Sequence, residues 1–170
     1  MRKIFSFYAV LGMMFLIAAA LNSYIEAAGN QYSFVTTAGQ AGMAEVALAN
    51  LALSKSQSED VKQFAQMMIT DHSKAGEELR SLATKKNLNF PAEPSAEQKV
   101  NADALAGLSG AAFDKAYIQT AIADHQAAVS LFENESKSGT DPDVKAWAAA
   151  TLPTIRGHLA KAESLGGKIK

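Results

Sequence analysis

The chain of 170 residues contains no cysteine. This absence excludes a disulfide framework, a thiolate metal site and lipidation at a cysteine that follows an export signal. Aromatic residues are also scarce at 8%, whereas hydrophobic residues make up 48% of the chain. That balance favours tightly packed helices over sheets. The formal net charge is −1 and no block of basic residues appears, so we expect no nucleic-acid partner.

The N-terminus has the composition of an export signal. Basic residues at positions 2 and 3 precede an apolar run over residues 4–21, and small residues follow around Ala27. We therefore predict a secretory signal peptide over residues 1–27 and a single exported domain over residues 28–170. The domain is expected to be periplasmic or associated with the outer membrane. The apolar run is long for a signal peptide, so an uncleaved membrane anchor is the alternative. Membrane contact would then come through this segment alone.

Apolar residues recur at alternating steps of four and three in four stretches of the domain. This spacing places them on one stripe of a helix, the stripe that packs against neighbouring helices. Ser56 followed by Glu59 fits a capping box that opens the second helix, and Asp141 followed by Pro142 fits the start of the last one. The predicted long helices span about residues 32–53, 59–87, 112–138 and 142–165, and a shorter one spans 95–108.

The connections between these helices predict how they are arranged. Short turns join the first helix to the second and the third to the fourth, so each pair forms an antiparallel hairpin. A breaker segment with two prolines, residues 89–94, and the shorter helix lie between the hairpins. The sequence therefore predicts an all-α fold, a four-helix bundle of two antiparallel hairpins joined by a crossover with a short extra helix.

Each of the three histidines lies on the apolar stripe of a different helix. His72, His125 and His158 stand at similar depths from the helix ends, so the rings are expected to converge in the bundle core. Glu45 interrupts the stripe of the first helix in the same way. Imidazole with carboxylate suits Zn, Fe, Mn, Ni or Cu ions. We predict a mononuclear metal site whose ligands are Glu45, His72, His125 and His158.

Three aspartates are predicted to tune this site. Asp71 and Asp124 directly precede histidines, and adjacent residues point about 100° apart on a helix. They therefore cannot contact their own histidine, but each is placed to hydrogen-bond a ring on a neighbouring helix. Asp114 lies on the apolar stripe of the third long helix and is assigned the same role.

Two other functions stay open beside metal binding. Asp–His pairs between helices can fix register without a metal, as single polar residues do in coiled coils, in a structural or interaction protein with envelope partners. A metal-dependent oxidoreductase is less well supported. Di-iron bundles need Glu-x-x-His motifs, and the residue three before each histidine here is isoleucine: Ile69, Ile122 and Ile155. No hydrolase triad, phosphate-binding glycine loop or HExxH motif is present, so we infer no small-molecule substrate, and the sequence favours a binding or structural protein over an enzyme without deciding between them.

Four short segments resemble a bacterial exported family, the domain of unknown function 4142. They are Ala44–Val46, Val61–His72, Phe113–Ile118 with His125, and Leu152–Pro153 with His158–Leu159. The resemblance extends over about residues 31–165. It implies a ferritin-like four-helix bundle in an exported or outer-membrane protein, without a settled biochemical activity. The family's recurrent polar positions match six residues here: Glu45, Asp71, His72, Asp114, His125 and His158.

Overall fold

The computed structural model describes residue 29 and residues 33–169. The predicted signal peptide and its cleavage point lie outside the described residues. Within them, five helices and no strand occur, which confirms the all-α fold class. The helices are α1 (residues 33–55), α2 (Glu59–Lys85), α3 (Ala96–Ala106), α4 (Gly110–Ser138) and α5 (Pro142–Gly166). None of the helices in this part of the chain combines the length and apolarity needed to span a membrane.

The turn between α1 and α2 differs from the prediction. Ser58, not Ser56, caps α2, and its hydroxyl accepts a hydrogen bond from the backbone N–H of Val61 at 3.4 Å. The predicted capping box of Ser56 with Glu59 is therefore wrong. The N–H of Ser56 still bonds the carbonyl of Ala52 at 2.9 Å, so Ser56 belongs to the end of α1.

Side chains define the starts of α3 and α5 clearly. Ser95 forms a capping box with Gln98, in which each side chain accepts from the other's backbone N–H, so α3 begins one residue after Ser95. Asp141 caps α5 by accepting from the N–H groups of Asp143 and Val144 at 2.9 and 3.1 Å. Proline at the first helical position has no N–H to satisfy, and α5 starts at the predicted residue.

Two hydrophobic clusters form the core, one at each end of the bundle. The first cluster contains Leu48 of α1, Val61 and Phe64 of α2, Phe113 and Tyr117 of α4, and Leu165 of α5. The second cluster contains Phe34 of α1, Leu79 of α2, Phe132 of α4, and Val144 and Ile155 of α5.

The order of these residues along the chain gives the topology. Helices α2 and α4 run from the first cluster to the second, and α1 and α5 run back. The bundle therefore consists of two antiparallel hairpins joined by a crossover over residues 86–109, as predicted. One long crossover of this kind characterises ferritin-like folds.

The crossover is fixed to the bundle by a close approach to α1. A Cβ atom added at Gly39 would lie 2.8 Å from Cγ of Pro91 and 3.0 Å from the ring of Phe90, so only glycine fits there. The Arg80 guanidinium lies 4.3 Å from the centroid of the Phe90 ring, at cation–π distance. The breaker segment thus packs against α1 and α2.

A polar layer separates the two hydrophobic clusters. It consists of one residue from each long helix: Glu45, His72, His125 and His158. Glu45, His125 and His158 are buried, with 4%, 1% and 3% of their surface exposed, and His72 is partly exposed. Each long helix therefore places one ionisable side chain on its packed face, midway between the two hydrophobic clusters.

Candidate metal centre

The three histidine rings meet in the polar layer. The ring centroids of His72 and His158 are 5.2 Å apart, those of His125 and His158 are 5.4 Å apart, and those of His72 and His125 are 5.5 Å apart. One ring nitrogen from each histidine lies within 4.8 Å of the other two. The arrangement is compact enough for three imidazoles to contact one ion.

His125 has a defined tautomer. Its Nδ1 donates a hydrogen bond to the carbonyl of Ala121 at 2.8 Å, so Nε2 carries the lone pair. That Nε2 lies 3.4 Å from Nε2 of His72. Two nitrogen ligands on a tetrahedral ion with bonds of about 2.0–2.1 Å lie roughly 3.4 Å apart. The separation of these two atoms therefore fits coordination of a single ion.

His158 is oriented by a carboxylate from another helix. Its Nε2 lies 2.9 Å from Oδ2 of Asp71, across the α2–α5 contact. Because an ionised carboxylate only accepts, Nε2 carries the proton and Nδ1 carries the lone pair. This Nδ1 is buried and has no hydrogen-bond partner. A histidine held by a carboxylate on one nitrogen and unpartnered on the other is the usual form of a metal ligand.

Glu45 contacts His125 on the side of the ring opposite to His72. Its Oε1 lies 3.5 Å from Nδ1 of His125, the nitrogen that faces away from the lone pair. The histidine nitrogens that meet within 4.8 Å do not include a Glu45 oxygen. Because the Nδ1 hydrogen is already donated to Ala121, Glu45 lies beside the His125 ring as a charge-balancing carboxylate, and its position does not suit the fourth ligand that the sequence predicts. Its other oxygen, Oε2, is buried without a partner.

The electrostatics of the layer favour uncharged imidazoles. Burial, with added repulsion from His125 and His158, lowers the pKa of His72 to about 3. Burial also lowers the pKa of His125 to about 4, although its bond to Ala121 opposes the shift. Burial and then the charge of Asp124 raise the pKa of Glu45 to about 8. Neutral imidazoles present the lone pairs that a metal needs, so the layer is prepared to bind a cation.

The remaining two predicted residues differ in position. Asp124 lines the cavity beside the histidines, and its side chain is exposed at the solvent edge. Asp114 is not among the cavity residues, although it is buried. It precedes His125 by three turns of α4, a distance of about 16 Å along the axis. The structure therefore does not bring Asp114 to the histidines, and its assignment to the site is not supported.

A cavity of about 280 Å³ adjoins the histidines. Its polar end contains the three rings with Glu45, Asp71 and Asp124, and its opposite end is mainly apolar. The lining also includes Thr37, Gln98, Thr151 and Thr154. Small side chains form much of the wall between these ends, including Ala38 and Ala41. The apolar end is formed by Leu79, Leu131, Phe132, Trp147 and Ile155. The sequence does not reveal this end, because its residues have the spacing of ordinary core positions.

His72 also lines a groove on the outer surface between α1 and α2. Gly42 and Gly76 line both this groove and the inner cavity, so His72 lies at the boundary between them. A Cβ atom at Gly42 would come within 4.0 Å of Nδ1 of His72, and one at Gly76 would meet nothing within 4 Å. Neither glycine was singled out in the sequence. The signals would have been Gly76, one turn after His72 on the same helix, and Gly42 on the facing helix α1.

The fold and the site define a class of protein, an all-helical bundle with a buried cluster of three histidines. The chain belongs to the family described as domain of unknown function DUF4142, whose model matches residues 18–165. This confirms the family resemblance found in the sequence. No curated protein sequence gives a significant match.

Solved structures share the fold. A DUF305 fragment from Deinococcus radiodurans has a TM-score of 0.73 at 18% identity, with 82% of this chain and 96% of that chain covered. CopM in its Cu(I)-bound form has a TM-score of 0.68 at 18% identity, with 81% and 96% covered. CopM in its Cu(II)-bound form has a TM-score of 0.69 at 19% identity and the same coverage. At these identities the likeness establishes the bundle fold alone.

Proposed function

We propose that this protein binds one transition-metal ion through His72, His125 and His158 and that it serves in metal handling or stress tolerance in the cell envelope. The observation that carries the proposal is the meeting of three ring nitrogens, from three helices, within 4.8 Å. The lone pair of His125 faces His72 at the separation expected for two ligands of one ion. Three histidines leave a fourth position of a tetrahedral ion open.

Two carboxylates support the ligands in this proposal. Asp71 fixes the tautomer of His158, and Glu45 lies against Nδ1 of His125. The hydrogen bond from Asp71 orients the His158 ring, and both carboxylates lie close enough to increase the basicity of the ligating rings. They also supply two negative charges that balance a divalent cation. A dication would thereby favour the ionised form of Glu45, whose pKa is raised in the buried layer.

Copper is the first ion to test. Imidazole sites bind Cu(II) more tightly than Zn, Ni, Fe or Mn, and all five ions suit nitrogen ligands. The CopM structures that share this fold contain copper in two oxidation states and silver. The export signal predicted in the sequence supports a role outside the cytoplasm.

A structural role without a metal is the second candidate. The hydrogen bond between Asp71 and His158 favours it, because a buried polar pair between two helices sets their register. The two candidates make different predictions about histidine variants. Loss of a ligand removes the metal, whereas loss of a network residue lowers the free energy of unfolding and changes no metal content.

Elemental analysis of the full chain, purified without a tag after incubation with each metal, tests the proposal. We expect about one ion per wild-type chain and none in the His72→Ala/His125→Ala double variant. The control is Ser73→Ala/Gln126→Ala, which changes the exposed neighbours of the same two histidines and should retain the ion. Equal metal content in the histidine variant and the control, or no metal with any of the five ions, would contradict the proposal.

A further inference from the structure

We propose that the cavity beside the three histidines binds a small organic ligand, an uncharged nitrogen base with a flat apolar body. The nitrogen would occupy the open position of the bound ion, and the body would lie in the apolar end of the cavity. This inference rests on the proposed metal site and assigns it a ligand class. The observations that support it are the size of the cavity, the chemistry of its two ends and the charge around the histidines.

The cavity is larger than one ion requires. Its volume is about 280 Å³. A cavity of roughly 150 Å³ binds benzene, and a water molecule in the liquid occupies about 30 Å³. The space therefore matches an aromatic molecule of two fused or linked rings. Alanine side chains on three helices, at Ala38, Ala75 and Ala128, keep this space open beside the histidines.

The apolar end provides surface for such a body. Leu79, Phe132 and Ile155 line it, with 1%, 5% and 4% of their surface exposed. Trp147 also lines this end, and its Nε1–H donates a hydrogen bond to Oε2 of Glu78 at 3.2 Å. Pockets lined mainly by apolar groups, with a few polar groups at one end, are the usual form of small-molecule sites.

The charge at the polar end selects the head of the ligand. Two carboxylates, Glu45 and Asp71, already contact histidine rings and balance a divalent ion. Asp124 lines the same cavity and adds a further carboxylate at its edge. A carboxylate head would be repelled by these groups. An uncharged nitrogen donor coordinates the ion without adding charge, so the site favours it over an anion of the same size.

Two probes with the same number of non-hydrogen atoms test this selectivity. We would titrate benzimidazole and benzoate into the Zn²⁺-loaded full chain by calorimetry at pH 7.5, and measure bound zinc afterwards. Benzimidazole is expected to bind at least about tenfold more tightly than benzoate and to leave the zinc in place. The metal-free chain should bind benzimidazole at least about tenfold more weakly, because it lacks the coordination bond.

Cavity-filling variants locate the binding site. Ala128→Leu places a larger side chain in the cavity, and Ala123→Leu makes the same change at an exposed position of α4 outside it. We expect Ala128→Leu to weaken benzimidazole binding at least about tenfold, with zinc content unchanged, and Ala123→Leu to have no effect. If Ala128→Leu does not fold, Ala41→Leu makes the same test from α1.

The outcomes separate this inference from the metal site itself. Retained zinc with no benzimidazole binding, or equal binding by the two probes, would overturn the ligand class and leave the metal site standing. Binding that Ala128→Leu and Ala41→Leu leave unchanged would overturn the location. A wild-type chain that binds no metal would overturn the proposed function and this inference with it.

Discussion

The pH dependence of folding in the metal-free protein tests the electrostatics of the polar layer. The pKa of His72 falls from 6.5 to about 3 and that of His125 from 6.5 to about 4 on folding. Below pH 6.5 His72 and His125 are therefore protonated in the unfolded chain but stay neutral in the native state. The pKa of Glu45 rises from 4.5 to about 8, so between these values the native state holds one proton that the unfolded chain has released.

The signs of these shifts give a maximum of stability near pH 6.5. Below it, the two histidines lower the free energy of unfolding by about 1.4 kcal/mol each per pH unit, and Glu45 opposes half of this loss. We expect a net loss of about 2 kcal/mol between pH 6.5 and 4.5. Above the maximum, Glu45 is the only one of these three groups that lowers the free energy of unfolding, because the native state keeps its proton while the unfolded chain has released it. The loss up to pH 8 is about 1 kcal/mol, since the half-protonated histidines of the unfolded chain offset part of it just above pH 6.5.

The Glu45→Gln variant isolates the carboxyl. Without it, the loss between pH 6.5 and 4.5 should grow to about 5 kcal/mol, and the decline towards pH 8 should disappear. Urea unfolding followed by circular dichroism at several pH values, with a chelator present, measures both slopes. Curves for wild type and Glu45→Gln that run parallel from pH 4.5 to 8 would refute the reasoning.

Three further predictions concern metal binding and packing. Asp71→Asn should weaken metal affinity about 10–100-fold in a chelator competition, because Asp71 orients the His158 ring. Asp114→Asn is the control and should leave the affinity unchanged, since Asp114 is remote from the rings. Equal losses of affinity in the two variants would contradict the assigned role of Asp71. Gly39→Ala should lower the free energy of unfolding by about 1–3 kcal/mol in thermal melts, because the new methyl group would clash with Pro91. Gly157→Ala is the control, since a Cβ atom there would contact nothing within 4 Å. Metal at 100 times its dissociation constant should stabilise the chain by about 2.7 kcal/mol, and an unchanged melting temperature would contradict binding to the native state.

Much of the fold follows from local signals in the sequence. Alternating four-three spacing identified all four long helices, because the stripe that packs in the bundle repeats with the helical period. The start of α5 followed from Asp141 and Pro142, whose capping chemistry is local. The turn at Ser56 was misassigned because two serines compete for the cap, and the continuing hydrogen bond to Ala52 decides between them.

The site divides in the same way. Helix period alone placed His72, His125 and His158 on inward stripes at similar heights, which is why their convergence was foreseeable. The position of Glu45 behind His125 depends on side-chain direction and on the rotation of α1, and neither can be read from spacing. Asp114 shares the stripe with His125, but a stripe extends the full length of a helix, and only distance along the axis excludes it.

The position of the polar layer has a mechanical consequence. It divides the bundle at mid-height into two hydrophobic halves, and this chain has no cysteine with which to link its helices covalently. An ion bound by His72, His125 and His158 would cross-link α2, α4 and α5 at their midpoints. Opening of one half would then be coupled to opening of the other, so the two halves would unfold as one cooperative unit. Residues near Val61 and Leu79, at opposite ends of α2, would exchange their amide hydrogens at similar rates in the metal-bound protein.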